Sequence, residues 1–214
     1  MPRVTQPDPV TTTSCAPGPA YPSDLECVVS TLLGATVHVR PIRPDDAAQL
    51  VTFHQGLSSR SVYRRFFSVH PTLSDAEVER FTCVDYVDRL ALVAEVDGQI
   101  VAVARYDRSP GSPEAEVAFV VADVFQHRGI ATMMLELLAY AAWRSGITTF
   151  VASTLAENRE MLDVFRHSRF GASTHLMSGI VEVRFSIDPA AHQEHRNPPD
   201  EVRPAEPIPG TPTC

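Results

Sequence analysis

The sequence predicts a mixed α/β fold, in which one sheet of parallel and antiparallel strands carries helices on both faces. The first reason is a hairpin: Asp97-Gly98 separates the apolar runs 90–96 and 100–105, and Asp-Gly is typical of a type I′ turn. The second reason is a crossover, because the amphipathic segment 130–144 lies between two further apolar runs. A hairpin joins antiparallel strands and a crossover joins parallel ones, so the sheet is expected to contain both.

One strand and two helices are predicted before the hairpin. Residues 36–40 alternate apolar and polar side chains, as a half-buried strand does. The first helix begins at Pro44-Asp45-Asp46 and runs to about residue 55, because acidic residues are favoured at the positive end of the helix dipole. Ser74 and Glu77 form a capping box that begins the second helix.

Three strands and two helices are predicted after the hairpin. The strands are 116–121, 148–153 and 180–187, and the helices are 130–144 and 159–168. Gly146 is placed to end the first of these helices. The predicted order of elements is therefore β-α-α-β-β-β-α-β-α-β.

Proline marks the predicted domain boundaries. Of the 18 prolines in 214 residues, six lie in 1–22 and seven in 189–214. Proline fixes φ and removes a backbone donor, so we expect disordered tails at 1–35 and 189–214. One domain is predicted between them, at residues 36–188.

The charge of the chain bears on its partners. A formal net charge of -8 argues against a dedicated nucleic-acid-binding protein, which would present a basic face. A locally basic pocket remains compatible with it. All 18 basic residues are arginine, so the chain cannot modify itself on a lysine side chain.

The cysteines and the first residues indicate a compartment. Cys15, Cys27, Cys83 and Cys214 form neither a disulfide framework nor a zinc pattern, and no metal is expected. The N-terminus lacks the apolar region of a secretory signal, and no run of 18 apolar residues predicts a membrane span. We therefore expect a cytoplasmic protein with reduced thiols and no membrane partner.

The segment 120–132 carries the pattern with chemical meaning: a strand ends, a short turn follows and a helix begins. The first N–H groups of a helix lack intrahelical partners and carry partial positive charge, so they bind phosphate. Gly129 has no Cβ and allows close approach, and Ala131 keeps the next position small. Arg128 can add a charge-assisted hydrogen bond. Neither a dinucleotide fingerprint nor a Walker motif is present.

Gln126-x-x-Gly129-x-Ala131 resembles the [QR]-x-x-G-x-[GA] motif of GNAT acetyltransferases, and the resemblance extends over about 36–188. It implies the GNAT acyl-CoA N-acyltransferase fold, with a mixed, mostly antiparallel sheet of six to seven strands. It also implies acetyl-CoA, or a short acyl-CoA, as co-substrate. The implied contacts to the pantetheine are Phe119, Val120 and Val121; those to the pyrophosphate are Gln126, His127, Arg128, Gly129, Ile130, Ala131 and Thr132; and Asn158 is placed to touch the CoA arm.

A narrower resemblance links the chain to bacterial protein lysine acetyltransferases. It rests on Arg40-Pro41-Ile42-Arg43-Pro44-Asp45-Asp46 and on the pattern of serines and aromatics in 57–67. It implies a protein lysine as acceptor, an acyl-CoA synthetase being one example. Several of those enzymes carry a fused regulatory or synthetase-like domain, for which we expect no room in this chain.

Glu116 is the candidate general base, because a lysine amine with a reference pKa of about 10.4 must lose a proton before it attacks a thioester. Strand alternation places Glu116, Ala118 and Val120 on one face, where burial among apolar neighbours would raise the pKa of the carboxyl group. The segment 115–119 also resembles the one that carries the catalytic Glu in those enzymes. The alternative for Glu116 is a carboxylate at a strand start that is exposed to water. Glu114, two residues earlier, is the second candidate, although a loop carboxylate is its favoured interpretation.

A general acid is not evident. Many GNAT enzymes carry a Tyr in the helix after the Asn, and the equivalent place here is Phe165, which we expect in the core. Arg64 and Arg65 are consistent with a rim for an acidic substrate, although a solvated helix face is the favoured interpretation. His127 is equally consistent with a phosphate contact and with a solvated loop side chain.

Other functions remain open at this stage. The acceptor is either a protein lysine, which we favour, or a small-molecule amine. A non-catalytic acyl-CoA sensor is a further alternative, and an interaction module acting through the proline-rich tails is a weaker one. Both a monomer and a homodimer are compatible with the sequence.

Overall fold

The computed structural model describes residues 20–30, 34 and 36–189 and contains one eight-stranded sheet in the order β1-β2-β3-β4-β5-β6-β8-β7. The strands are β1 (Cys27–Ser30), β2 (Thr36–Pro41), β3 (Arg89–Val96), β4 (Gln99–Asp107), β5 (Glu114–Val121), β6 (Thr149–Leu155), β7 (Ala172–Met177) and β8 (Ile180–Ser186). The helices are α1 (Ala47–Gln55), α2 (Ser59–Phe66), α3 (Asp75–Thr82), α4 (Ile130–Arg144) and α5 (Arg159–Arg166).

The sheet is mixed, as the hairpin and the crossover predicted. Strands β5 and β6 pair in parallel across α4, and the other neighbouring strands pair antiparallel. The turn between β3 and β4 has φ of 50° at Asp97 and 73° at Gly98, the positive values that a type I′ turn requires. The helix predicted at 130–144 is α4, and Gly146 follows it with φ of 81°.

Helices cover both faces of the sheet. On one face α4 packs on β3 and β4, where Ala94, Ala102 and Ala104 are fully buried and leave room for Leu135 and Leu138. On the other face α1 packs on β4 through a second apolar cluster of eight residues. The two clusters therefore bury both faces of the central strands β3 and β4.

Three elements were missing from the predicted order, and the count of six to seven strands was too low. Strand β1 lies within the segment 1–35 that was predicted as a tail; it has only four residues and pairs with β2. Helix α2 is polar, and its N-cap Ser58 accepts a hydrogen bond from Ser61 N–H at 3.2 Å. Strand β7 is exposed along its whole length, so no apolar alternation indicated it.

Residues 1–19 and 190–214 of the predicted tails lie outside the described part of the chain. Within the part that is described, no helix is long and apolar enough to cross a membrane.

Candidate active site

The candidate site lies where β5 and β6 separate. Their parallel ladder ends at Val117↔Ala152, although β5 continues to Val121 and β6 to Leu155. The opposite edge of β5 stays paired with β4 as far as Val121. A cleft of about 520 Å³ opens between the two strand ends. Backbone N–H and C=O groups at an unpaired strand edge require hydrogen-bond partners, so this edge suits an extended ligand that carries amides.

The N-terminus of α4 closes one end of the cleft. Gly129 is its N-cap, with φ of 81° and no side-chain cap. The helix ladder begins with Met133 N–H, which donates to the Gly129 carbonyl at 3.0 Å. The earlier N–H groups of Ile130, Ala131 and Thr132 therefore precede the ladder, and these three residues line the cleft. Together with the partial positive charge of the helix end, they suit a phosphate.

The structure brings most of the predicted contact residues to this cleft. Those that line it are Phe119, Val120, Val121, Gln126, His127, Gly129, Ile130, Ala131, Thr132 and Asn158. Arg128 is not among the lining residues. Its guanidinium donates to the Val124 carbonyl at 2.8 Å and lies 5.1 Å from the centroid of the Phe125 ring.

Gln126 is held by the protein itself. Its side-chain amide donates to Ser61 Oγ at 3.2 Å and to the Val121 carbonyl at 3.0 Å. This contact ties the loop before α4 to α2, because Ser61 is a buried residue of α2. The side chain of Gln126 thus positions the loop, and the loop backbone is left to face the cleft.

Asp123 strengthens the same connection. Its carboxylate accepts hydrogen bonds from Ser58 N–H at 3.0 Å, Ser58 Oγ at 2.7 Å and Ser61 Oγ at 2.9 Å. Burial raises the pKa of this carboxyl group, but the bonds from Ser58 and Ser61 outweigh burial and lower it overall. The N-terminal turn of α2 is therefore fixed against the loop that follows β5.

Asn158 is the N-cap of α5. Its Oδ1 accepts from Met161 N–H at 3.4 Å, and its Nδ2 donates to Thr154 Oγ1 at 3.2 Å. Both ends of the amide are thus engaged within the protein. The residue is buried and still lines the cleft. Its bond to Thr154 therefore holds the end of β6, which forms the wall of the cleft across from β5.

Glu116 lines the cleft near the end of the parallel ladder, and its side chain is exposed. Alternation places it with Ala118 and Val120 on one face of β5, as predicted. The expectation that apolar neighbours bury Glu116 was wrong, because the cleft leaves this face open to solvent. Glu114 does not line the cleft and forms an ion pair with Arg184 on β8.

Phe165 occupies the place where a tyrosine was sought. It is 2% exposed and packs edge to face on Phe119, with ring centroids 6.1 Å apart. Among the described residues, no tyrosine lines the cleft. Likewise, no group of three or more His, Cys, Asp or Glu side chains in the described ranges is arranged to hold a metal.

Arginine side chains near the cleft are less solvated than predicted. The Arg64 side chain is only 10% exposed, and its Nη2 lies 3.0 Å from Glu160 on α5. Arg65 lines the cleft on the same helix and is partly buried. The favoured interpretation of a solvated helix face was therefore wrong. The spacing of Ser61, Arg64 and Arg65 at i, i+3 and i+4 is the sequence signal that places all three on one buried side.

Comparisons with known proteins agree with this geometry. Residues 36–171 match the family model described as acetyltransferase (GNAT) domain. The crystal structure of the GNAT domain of S. lividans PAT is 40% identical, covers 78% of this chain and 99% of that chain, and superposes with a TM-score of 0.74. The fold and the family match define an acetyltransferase of the GNAT type, and the chain belongs to the GNAT acetyltransferase family.

Two further relatives refine the comparison. Acetyltransferase Pat of Mycolicibacterium smegmatis is 34% identical over 148 residues, which is 67% of this chain but 43% of that protein. The present chain thus spans less than half the length of that relative. A putative acetyltransferase of Salmonella typhimurium with its cofactor acetyl-CoA is 16% identical, with a TM-score of 0.59 over 72% of this chain and 95% of that chain, and shows the shared fold.

Proposed function

We propose that the protein transfers an acetyl group from acetyl-CoA directly to the side-chain amine of a lysine in another protein, an acyl-CoA synthetase being one candidate. The observation that carries this proposal is the exposed Glu116 carboxylate beside the gap between β5 and β6. The similarity to acetyltransferase Pat supports the same class of reaction. The choice of a lysine acceptor rests on the family resemblance of the sequence.

The donor is proposed to complete the sheet. The amides of the pantetheine arm pair with the free edge of β5 at Phe119, Val120 and Val121. The pyrophosphate binds the N–H groups at the start of α4, where no side chain caps the helix. This placement directs the thioester away from α4, along β5 and toward Glu116.

The chemistry follows from proton balance. The lysine ammonium gives a proton to Glu116, directly or through one water, because only the neutral amine is nucleophilic. The amine nitrogen then attacks the thioester carbonyl, the C–N bond forms and the C–S bond breaks. The CoA thiolate leaves, and the second proton that the nitrogen loses as it becomes an amide passes through water to the thiolate. The reaction is direct, so it has no covalent enzyme intermediate.

The test is thiol release from acetyl-CoA with a lysine-rich protein lysate, for wild type, Glu116→Gln and Glu114→Gln. We expect Glu116→Gln to lower the rate by roughly a hundredfold or more, the scale of a lost general base. Glu114→Gln is the matched control on the same strand and should stay close to wild type. Equal rates for wild type and Glu116→Gln would contradict the assigned base.

Two other outcomes would replace the proposal. Transfer to small amines without transfer to proteins would make the protein a small-molecule acetyltransferase. If both wild type and Glu116→Gln bind acetyl-CoA but neither turns it over, the protein would be a sensor. The lack of a tyrosine among the described cleft residues favours this alternative.

A further inference from the structure

Arg65 lies at a junction between two cavities. It lines the main cleft together with Glu116, and it also lines a small cavity of about 40 Å³ whose walls include Phe66 and Val120. The residue is on α2, and it shares the small cavity with Ala118 and Val120, which lie on the same face of β5 as Glu116. Its guanidinium is therefore on the acceptor side of the cleft.

Within the described part of the chain, Arg65 has no ion pair or side-chain hydrogen bond. Its guanidinium carbon lies 5.0 Å from the centroid of the Phe66 ring. Burial lowers the pKa of Arg65, while the charges of Glu116 and Asp107 oppose that effect. The neighbouring Arg64, in contrast, is paired with Glu160 at 3.0 Å. A guanidinium offers five N–H donors, and the partly buried guanidinium of Arg65 reaches the cleft without a partner for them among the described residues.

The surroundings add positive charge. Arg105 stands opposite Ala118 in the β4–β5 ladder and is 7% exposed. It is held in place, because its Nη2 donates to the Phe81 carbonyl at 3.0 Å and its Nε lies 4.0 Å from Asp107. Burial lowers the pKa of Arg105 to about 10, and the positive charge of Arg65 contributes to that shift.

Asp107 and Glu116 are directly opposed across the same ladder. Asp107 is also engaged by Arg89, at 2.9 Å. Three arginines, Arg65, Arg89 and Arg105, thus act on this pair of carboxylates. Of the three, Arg65 is the one that lines the cleft. The described lining of the cleft as a whole carries three carboxylates, those of Glu116, Glu160 and Asp163, and the guanidinium groups of Arg64 and Arg65.

We propose that Arg65 binds a carboxylate of the acceptor, namely an aspartate or glutamate side chain that flanks the target lysine. This inference rests on the proposed function of protein lysine acetylation. An acidic neighbour of the target lysine would give the guanidinium of Arg65 the carboxylate partner that it lacks within the described part of the chain. Arginine suits this role because its planar fork accommodates both carboxylate oxygens.

The phosphates of acetyl-CoA are a less suitable partner for Arg65 than a carboxylate of the acceptor. The phosphate-binding N–H groups belong to the start of α4, beyond the far end of β5. Glu116 and Val121 are five residues apart, or about 16 Å along a strand that rises about 3.3 Å per residue. The charges that act on the Arg65 guanidinium are those of Glu116 and Asp107, which places it at the Glu116 end of this span, so the anion that it meets is expected to come from the acceptor.

The experiment uses a lysine-centred peptide library with both ends blocked, so that Asp and Glu side chains are its only carboxylates. Acetylated peptides are sequenced by mass spectrometry after reaction with wild type, Arg65→Met, Arg65→Lys and Arg60→Met. Arg60 is the control because it lies on α2 with a side chain 71% exposed. Urea unfolding and acetyl-CoA binding establish that each variant is folded.

We expect wild type to enrich Asp or Glu beside the acetylated lysine by about tenfold, equivalent to about 1.4 kcal/mol for the charged contact. Arg65→Met should reduce the enrichment to within about twofold, while its KM for acetyl-CoA stays unchanged. Arg65→Lys should keep part of the enrichment, because the charge remains but the bidentate fork is lost. Arg60→Met should keep the wild-type profile.

Library acetylation without acidic enrichment, or enrichment that survives Arg65→Met, overturns the role of Arg65 and leaves the proposed function standing. If wild type acetylates neither the library nor the lysate proteins, the proposed function itself is overturned. If the protein acetylates free amino acids but not peptides, and does so only with Arg65 present, the carboxylate that Arg65 binds belongs to a small molecule. That outcome overturns the proposal of a carboxylate on a protein acceptor.

Discussion

Replacing Asp123 by asparagine tests whether α2 and the loop before α4 act as one unit. The carboxylate accepts three hydrogen bonds, at 3.0, 2.7 and 2.9 Å, from Ser58 and Ser61. Asparagine keeps one acceptor oxygen, which is neutral. Its NH2 group replaces the other oxygen and faces serine groups that donate hydrogen bonds to Asp123. The substitution therefore removes charge assistance without changing the size of the side chain.

The expected loss in the free energy of unfolding depends on how exposed Asp123 is. Hydrogen bonds to charged groups contribute about 1.5–3 kcal/mol each, and Asp123 is exposed, so the lower end applies. With one bond lost and the others weakened, we expect Asp123→Asn to lower the free energy of unfolding by about 1–2 kcal/mol. For a folded unit of this size the melting temperature should fall by about 2–8 °C.

The assay is urea unfolding followed by the fluorescence of Trp143, the single tryptophan, which lies on α4. Asp45→Asn is the control, because Asp45 is exposed in the turn before α1 and should change stability by less than about 0.5 kcal/mol. We also expect the KM for acetyl-CoA to rise in Asp123→Asn, since Gln126 loses a fixed partner in Ser61. Identical unfolding midpoints for the two variants would refute the reasoning.

The pH dependence of this effect has a defined sign. The folded state lowers the pKa of Asp123, so its contribution is complete above the unfolded pKa and is lost as the pH falls through the folded value. The difference in stability between wild type and Asp123→Asn should therefore be constant near neutral pH and shrink below about pH 4. A difference that grew on acidification would contradict the direction of the shift.

Two further substitutions test the donor site and the core. Gly129→Ala should weaken acetyl-CoA binding by about tenfold or more in calorimetric titration, because φ of 81° costs a side chain about 1–2 kcal/mol and this strain falls on the N-cap of α4, whose next N–H groups are proposed to bind the pyrophosphate. Gly98→Ala carries similar strain outside the cleft, at φ of 73°, and should lose stability while keeping its affinity for acetyl-CoA. Equal affinity of both variants for acetyl-CoA would argue against phosphate binding at the start of α4. Arg40→Met should cost about 3–5 kcal/mol in urea unfolding, because it removes the guanidinium shared by Asp46 and Glu95, whose side chains are 5% and 12% exposed. Asp46 then keeps the Arg43 N–H and Glu95 keeps His38. A loss below about 1 kcal/mol would mean that this ion pair does not govern folding.

The parts of the fold that sequence could predict have strong local signals. The Asp97-Gly98 turn needs two positive φ values, and few residue pairs satisfy that need. The capping box of Ser74 and Glu77 is closed in the structure, with Glu77 Oε2 accepting from Ser74 N–H at 2.8 Å. Strand β7 lacks such a signal, because an edge strand exposed on both faces has no apolar period.

The same distinction applies to the site. The motif located the loop before α4, because a strand end, a glycine and a helix start are adjacent in sequence. The partners of its side chains were not predictable, since Gln126 bonds to Ser61 and Arg64 pairs with Glu160 across long stretches of chain. The spacing of Ser61, Arg64 and Arg65 indicates that they share one side of α2, but the contact of Arg64 with Glu160 on α5 is long-range, and no local pattern encodes it.

The early end of the ladder between β5 and β6 has a consequence for the lifetime of the protein. Each amide left unpaired at that gap forgoes a hydrogen bond that a closed sheet would have, so the empty protein is less stable than its sheet allows. A donor that fills the gap adds stability by mass action, about 2.7 kcal/mol at a hundred times its dissociation constant. Proteolytic resistance of the chain should therefore follow the supply of its acyl donor, and degradation would remove the enzyme fastest when it has nothing to transfer.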